Sequence, residues 1–398
     1  MTMKAWKYCL AILLCFSFSY GHGQDKSDGR YSLPVKITPR PEAFLGFPGV
    51  DKSGLLENFK NPPRGYGEVP FYWWTGGEEL TRERLLWQLD QLSEASVLGL
   101  NVSYNHTHKV ADAAANQGRD VLFGVSEPSD PEFMSDQWWE IWNWFSEECG
   151  KRDMGLGLDD YVVGHKGAGY WADRVDEELL AADYQGKLVV HEPLELKGGT
   201  SFTRELSGNT ITLTAYPLID GAYDDSKAVN LMELAEDEVV NWLTPSVLDW
   251  EIIHIETTSG YMIHPEHGNT LLKHYYQLFE DKLSPEARKG MNFFFQDELK
   301  VDIDHYVWSE DFASIFKDKK GYDIRPFLPA LYFDIGDITP KIRLDYSDVM
   351  VELVELRYFK PIFEWHWQRG LLFGCDNWGR GLEPERYGDY FRATRWFS

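Results

Sequence analysis

Cysteine is scarce. The 398-residue chain has four, and Cys9 and Cys15 fall inside an apolar leader, which leaves only Cys149 and Cys375. Two cysteines make no disulfide framework and lack metal-site spacing, so they read as two buried thiols. Positive charge is also short: 39 Lys and Arg stand against 64 Asp and Glu, for a formal charge of −25. Such a surface repels phosphate backbones and anionic lipid, which argues against nucleic acid as a partner. After the first 16 residues no apolar run is long enough to cross a bilayer, so no stable membrane insertion is expected. Internal repeats, a dinucleotide-binding glycine fingerprint and a serine-nucleophile elbow are all missing.

What remains is a chain rich in rings, with 16 Trp and 21 Tyr. Large rings fill large cores, and they also stack on neutral polar ligands, of which sugars come first. Lys4 and Lys7 precede the apolar run Cys9 to Phe16, and small residues follow at Gly21 and Gly23. That order reads as a secretory signal, residues 1–23, cut near Gly23, and places the protein outside the cytoplasm, periplasmic or secreted. Residues 24–68 are Pro-, Gly-, Lys- and Asp-rich and read as a lead-in segment.

Regular structure is expected from Val69. An aromatic run through Trp73 and Trp74 reads as a strand, Thr81 opens a helix that Gly99 closes, and Leu100 to Tyr104 form the next strand. A helix from about Ser135 to Lys151 leads into the strand Met154 to Asp160. This alternation implies parallel strands with crossover helices, the first part of a (β/α) barrel over 69–171. Short alternating segments over 172–257 read as an inserted β-rich subdomain, and the barrel rhythm resumes over 258–398. Five βα strands can be counted, near 70, 100, 155, 292 and 372. A (β/α)8-type barrel needs eight, typically within about 250 residues, so the expected fold is α/β, a (β/α)8-type barrel incomplete at the C-terminus, or else an open sheet.

In such barrels the working residues project from the C-terminal ends of strands. Those ends carry Trp73 and Trp74, Asn105 and His106, Asp159 and Asp160, Asp297 and Glu298, and Asp376 and Asn377. Carboxylates beside rings suit glycoside hydrolysis, in which one protonated acid helps the leaving oxygen depart and another carboxylate activates water or attacks. Phe293, Phe294 and Phe295 run directly into Asp297–Glu298 across Gln296, and an apolar flank keeps a carboxyl protonated. Successive strand residues face opposite ways; Glu298 is the favoured acid and Asp297 the alternative. A solvated strand exit with no chemistry is the ordinary competing reading. The pair His106 and His108 lacks a third metal ligand nearby, and the stripe Asp345, Asp348, Glu352, Glu355 reads as a solvated helix face.

At these residues the chain resembles glycoside hydrolase family 106, the α-L-rhamnosidase family, and the exported barrel glycosidases around it. The likeness lies in the order of several segments: the aromatic first strand, Val97 to Val102, the acidic pair Asp159–Asp160 with its glycine-rich loop to Gly169, and Phe294 to Leu299. Trp308 to Phe312, Lys320 to Ala330 and Gly374 to Asn377 follow. The third-strand pair is Asp-Asp here where the family usually has Asp-Glu. The resemblance implies an exported enzyme that releases terminal sugars, α-L-rhamnoside-like, from plant or microbial polysaccharide with inversion. It places Glu298 at the acid position, a second Glu on a strand beyond Ser398, and Ca2+ at the sugar site with no ligand set that spacing can name. Asp160, Asp297, Asp376, Asn377 and Trp73 or Trp74 would then shape a pocket for oligosaccharide or polysaccharide. A non-catalytic carbohydrate-binding protein, or an inactive truncated fragment of such a hydrolase, is the competing expectation.

Overall fold

The structure is a computed structural model and describes residues 55–60, 68–74, 80–95, 97–104, 130–160, 187–259, 267–299, 306–377 and 390–398. The signal-like start, the histidines at 106 and 108 and the glycine-rich loop up to Gly169 lie outside these residues.

After a short helix at Leu55–Lys60 come β1 (Phe71–Trp73), α1 (Arg82–Glu94), β2 (Gly99–Ser103), α2 (Asp136–Lys151) and β3 (Gly155–Asp159). Both helices start where polar caps predict: Thr81 accepts from Arg84 N–H and Ser135 from Trp138 N–H, satisfying donors the first turn leaves free. Gly99 does not close α1, which ends at Glu94. It opens β2 instead, where an added Cβ would lie 2.6 Å from the Gly155 carbonyl oxygen. A glycine that looks like a helix stop is thus a close strand approach.

An antiparallel region follows, with β4 (Lys187–Leu196), β5 (Ser201–Glu205), β6 (Thr210–Ile219), β7 (Ala222–Tyr223), β8 (Val229–Asn230), β9 (Ala235–Glu236), β10 (Val239–Leu243) and β11 (Asp249–Ser259). One sheet holds β4, β11, β6 and β7, with β8 beside β6; a smaller sheet runs β5-β10-β9. Between them Phe202, Leu213, Ala215, Leu231, Val240, Trp250 and Ile252 form a buried core.

The chain then builds a helix in three pieces: α3 (His267–Leu271), a π turn (Leu272–Tyr276) and α4 (Gln277–Lys282). After α5 (Pro285–Gly290) come β12 (Met291–Leu299), β13 (Tyr306–Trp308) and α6 (Phe312–Lys320). A long helix follows, α7 (Thr339–Val354), a π turn (Glu355–Phe359) and α8 (Lys360–Gln368), before β14 (Leu372–Asn377). β13 joins the larger antiparallel sheet beside β4, while β12 and β14 complete a parallel sheet of order β1-β2-β3-β12-β14. These are the five strands expected from the sequence. Among the described residues they form a half-barrel rather than a closed ring of eight.

Register defines two faces. Tyr72, Val102, Leu158, Phe294 and Phe373 lie in one row across all five strands. Their rings meet the helices: Tyr72 stacks on Phe145, Phe294 packs on Phe279 and Phe373 on His366. The opposite face carries Phe71, Asn101, Gly157, Phe293 and Leu372 in one row. Phe71 and Phe295 touch on this face with ring centroids 5.8 Å apart. Three strand intervals separate them, about 14 Å on a flat sheet, so the sheet curls and this is its concave side. Glycines make the room: a Cβ on Gly157 would meet the Phe293 ring at 2.1 Å.

The tryptophans divide accordingly. Trp138 and Trp142 of α2 stack 5.1 Å apart in the core, and Trp250, Trp308 and Trp396 are buried elsewhere. Core filling accounts for these rings.

The acidic stripe on α7 is not a solvated face. Glu352 and Glu355 are buried, and cations from other elements cover the row: Lys319 lies 2.7 Å from Glu352, Lys320 2.6 Å from Asp348, and Arg392 and Arg395 within 2.8 Å of Glu355. The stripe docks α6 and the C-terminal segment, with partners too distant in sequence for helix periodicity to reveal.

Where α5 meets α2, a Cβ on Gly290 would sit 1.9 Å from the Ser146 carbonyl oxygen. Backbone meets backbone there, so Gly290→Ala must push the helices apart. It is expected to cost roughly 1–3 kcal/mol, as overpacking does, measurable as a lower midpoint in urea.

Candidate functional site

The C-terminal edge of the parallel sheet collects the acids. Trp73 pairs with Ser103, and Phe295 pairs with both Asp159 and Gly374, so these residues share one level of the concave face. Beyond it, Gln296 is opposite Cys375 and Leu299 opposite Asn377. β12 therefore uses one residue more than β14 across this stretch, and the bulge sets both Asp297 and Glu298 against Asp376. Bulges re-aim side chains and recur beside active sites. The strict alternation that favoured one of the two acids breaks at the place where it was applied.

Asp297 and Asp376 are half-buried. Both act, with Asp160, on the Cys375 thiol, which burial first and these charges second push far up. Carboxylates from three strands therefore gather at one sheet edge. The side chains of Glu298 and Asn377 lie outside the described ones.

The remaining residues singled out from the sequence separate by face. Trp73 is 38% exposed and stacks on Phe71 at 6.3 Å. Trp74 is 3% exposed and packs edge-on against Phe145 at 4.6 Å and Trp142 at 5.8 Å, in the layer between sheet and helix. Of the two, only Trp73 stands where a ligand can reach it.

Asp160 also turns to the helix side. It is 0% exposed, and its carboxylate accepts from Tyr275 Oη at 2.5 Å and Tyr276 Oη at 2.8 Å. Burial pushes its carboxyl up to about 8, against the two phenol donors that favour the anion. Its carboxylate is engaged by phenols from the helix layer rather than turned to the concave face. The concave-facing acid of the pair is Asp159, 2% exposed, which the strand alternation Gly155, Gly157, Asp159 against Leu156, Leu158, Asp160 already marks.

Among the described residues no group of three His, Cys, Asp or Glu side chains is placed to hold a metal ion. The described side chains therefore assemble no three-carboxylate site for the calcium that the resemblance implies. Cys149 and Cys375 are both buried and unbridged. No described helix is long and apolar enough to cross a membrane. A cleft of about 170 Å³ lined by Met291, Leu371, Trp365, Arg288 and Arg369 opens at the strand starts. That is the end where barrel folds place stability rather than chemistry.

No protein-family model matches the sequence, and no curated protein does. Among solved structures, a rhamnosidase from Novosphingobium sp. PP1Y superposes with a TM-score of 0.54 at 12% identity, covering 81% of this chain and 47% of that one. The likeness is one of fold. The chain thus spans about half the length of the rhamnosidase it matches. What the two share is a mixed helix-and-sheet architecture, and at this identity the comparison assigns no site residue.

Proposed function

We propose that the chain carries the acid-bearing half-barrel of an exported glycoside hydrolase that removes terminal, α-L-rhamnoside-like sugars with inversion. The observation that carries this reading is the gathering of Asp159, Asp297–Glu298 and Asp376 at one sheet edge, beside the exposed ring of Trp73. The shared fold with a rhamnosidase and the ordered resemblance to family 106 support it.

In this reading Glu298 gives its carboxyl proton to the glycosidic oxygen as the bond to the anomeric carbon breaks. Water adds to that carbon from the opposite face and loses its proton to a base, so the products are the free sugar and an alcohol. Asp297, Asp376 and Asn377 accept or donate hydrogen bonds to sugar hydroxyls, and Trp73 stacks on an apolar sugar face.

The test is a panel of 4-nitrophenyl glycosides, read by phenolate release and by proton NMR of the first-formed anomer. Release from the α-L-rhamnoside with the β anomer appearing first is expected. Sugar binding by calorimetry without release from any glycoside would overturn the reading in favour of a carbohydrate-binding protein.

A further inference from the structure

Gln296 is the last residue of β12 before the bulge, and its side chain is fully buried. Its Nε2–H donates to Tyr276 Oη at 3.0 Å, and its Oε1 accepts from Tyr358 Oη at 3.1 Å. A phenol has one hydrogen. With its oxygen accepting from Gln296, Tyr276 sends that hydrogen to Asp160 Oδ2. The main chain is fastened at the same level, where Asp160 N–H donates to the Phe295 carbonyl at 2.7 Å.

The tyrosines have an unusual origin. Tyr275 and Tyr276 lie in the π turn Leu272–Tyr276, and Tyr358 lies in the π turn Glu355–Phe359. π turns are rare and recur at functional sites; both of those among the described residues feed this network. Gly268 permits the two helices to meet, since a Cβ there would lie 2.5 Å from the Arg357 oxygen and 2.8 Å from Tyr358 Cα.

We propose that Asp160 is a positioning residue that acts through Tyr276 and Gln296 to fix the point at which β12 bulges, and so the placement of Asp297 and Glu298. The proposal rests on reading that strand end as the catalytic one. It assigns the two phenols different tasks. Tyr276 bridges Asp160 to β12, whereas the Tyr275 hydroxyl donates to the carboxylate and its ring packs on Tyr276 and Phe279.

Tyr276→Phe and Tyr275→Phe each remove one oxygen without changing ring volume, so both are suited to a direct comparison. Hydrogen exchange of the peptide spanning 291–299 is expected to quicken at least tenfold in Tyr276→Phe and to stay within twofold of the parent in Tyr275→Phe. With a cleaved glycoside, Tyr276→Phe should lower kcat at least tenfold with KM little changed, and Tyr275→Phe should not. Equal exchange in the two variants, or no change in either, overturns the network. Exchange that differs while kcat stays at the parent value in an active enzyme overturns the positioning role. If no glycoside is cleaved, the glycosidase reading fails and the exchange comparison still decides the network.

Discussion

Glu298→Gln is expected to lower turnover by roughly 10²–10⁴-fold, the range general acids supply, while leaving the melting midpoint within about 2 °C of the parent. The amide keeps the shape of the carboxyl and loses only the transferable proton, so folding has little reason to change. The loss should depend on the leaving group. A 4-nitrophenolate departs without much help, so its hydrolysis should fall least, and an alkyl rhamnoside, whose leaving oxygen needs the proton, should fall most. An equal loss on both substrates would count against proton donation. Because Asp297 and Glu298 share a bulge opposite Asp376, Asp297→Asn is the necessary comparison. It is expected to raise KM, as a lost hydroxyl contact does. The large leaving-group-dependent loss appearing in Asp297→Asn instead would move the acid one residue back.

Much of the frame was legible because its signals are local. The five parallel strands follow from short apolar runs bounded by glycine or acid, and the starts of α1 and α2 follow from Thr81 and Ser135. What escaped was set by distant partners. The docking of the α7 stripe depends on Lys319, Lys320, Arg392 and Arg395, none of them on that helix. The start of that helix leaves little periodic trace either: it begins at Thr339, with Pro340 in its first turn, ahead of the apolar pattern. At the site, alternation along β3 contained the answer that Asp159 rather than Asp160 faces the concave side, since small residues alternate with leucines there. The β12 bulge and the two π turns leave no comparable periodic trace, because each inserts a residue into a pattern instead of making one.

Asp160→Asn should change how stability depends on pH, and the sign is fixed by burial. With no cation against it among the described residues, the buried carboxyl is pushed up to about 8 from its ordinary 3.8, and the bonds from Tyr275 and Tyr276 only partly offset this. Folded protein then holds the proton more tightly than unfolded protein between about pH 4 and 8. The group's contribution is fully present below pH 4, declines as pH rises through that window, and is constant above it, with a slope of about 1.4 kcal/mol per pH unit. An asparagine at 160 does not titrate. The variant should therefore gain on the parent by about 2 kcal/mol between pH 6 and 8, or roughly 2–3 °C in melting midpoint for 398 residues at about 2 cal/mol/K of unfolding entropy each. Comparing two melting curves removes what they share. Burial lowers the imidazole pKa of His254 and pushes that of His366 down to about 3, so both proteins lose stability as pH falls through about 6.5. The 2.5 Å approach of Tyr275 argues the other way, since such distances are typical of bonds to a charged carboxylate. Parallel curves from pH 6 to 9 would mean that the phenols outweigh burial and that Asp160 stays ionised beneath the strand end it holds.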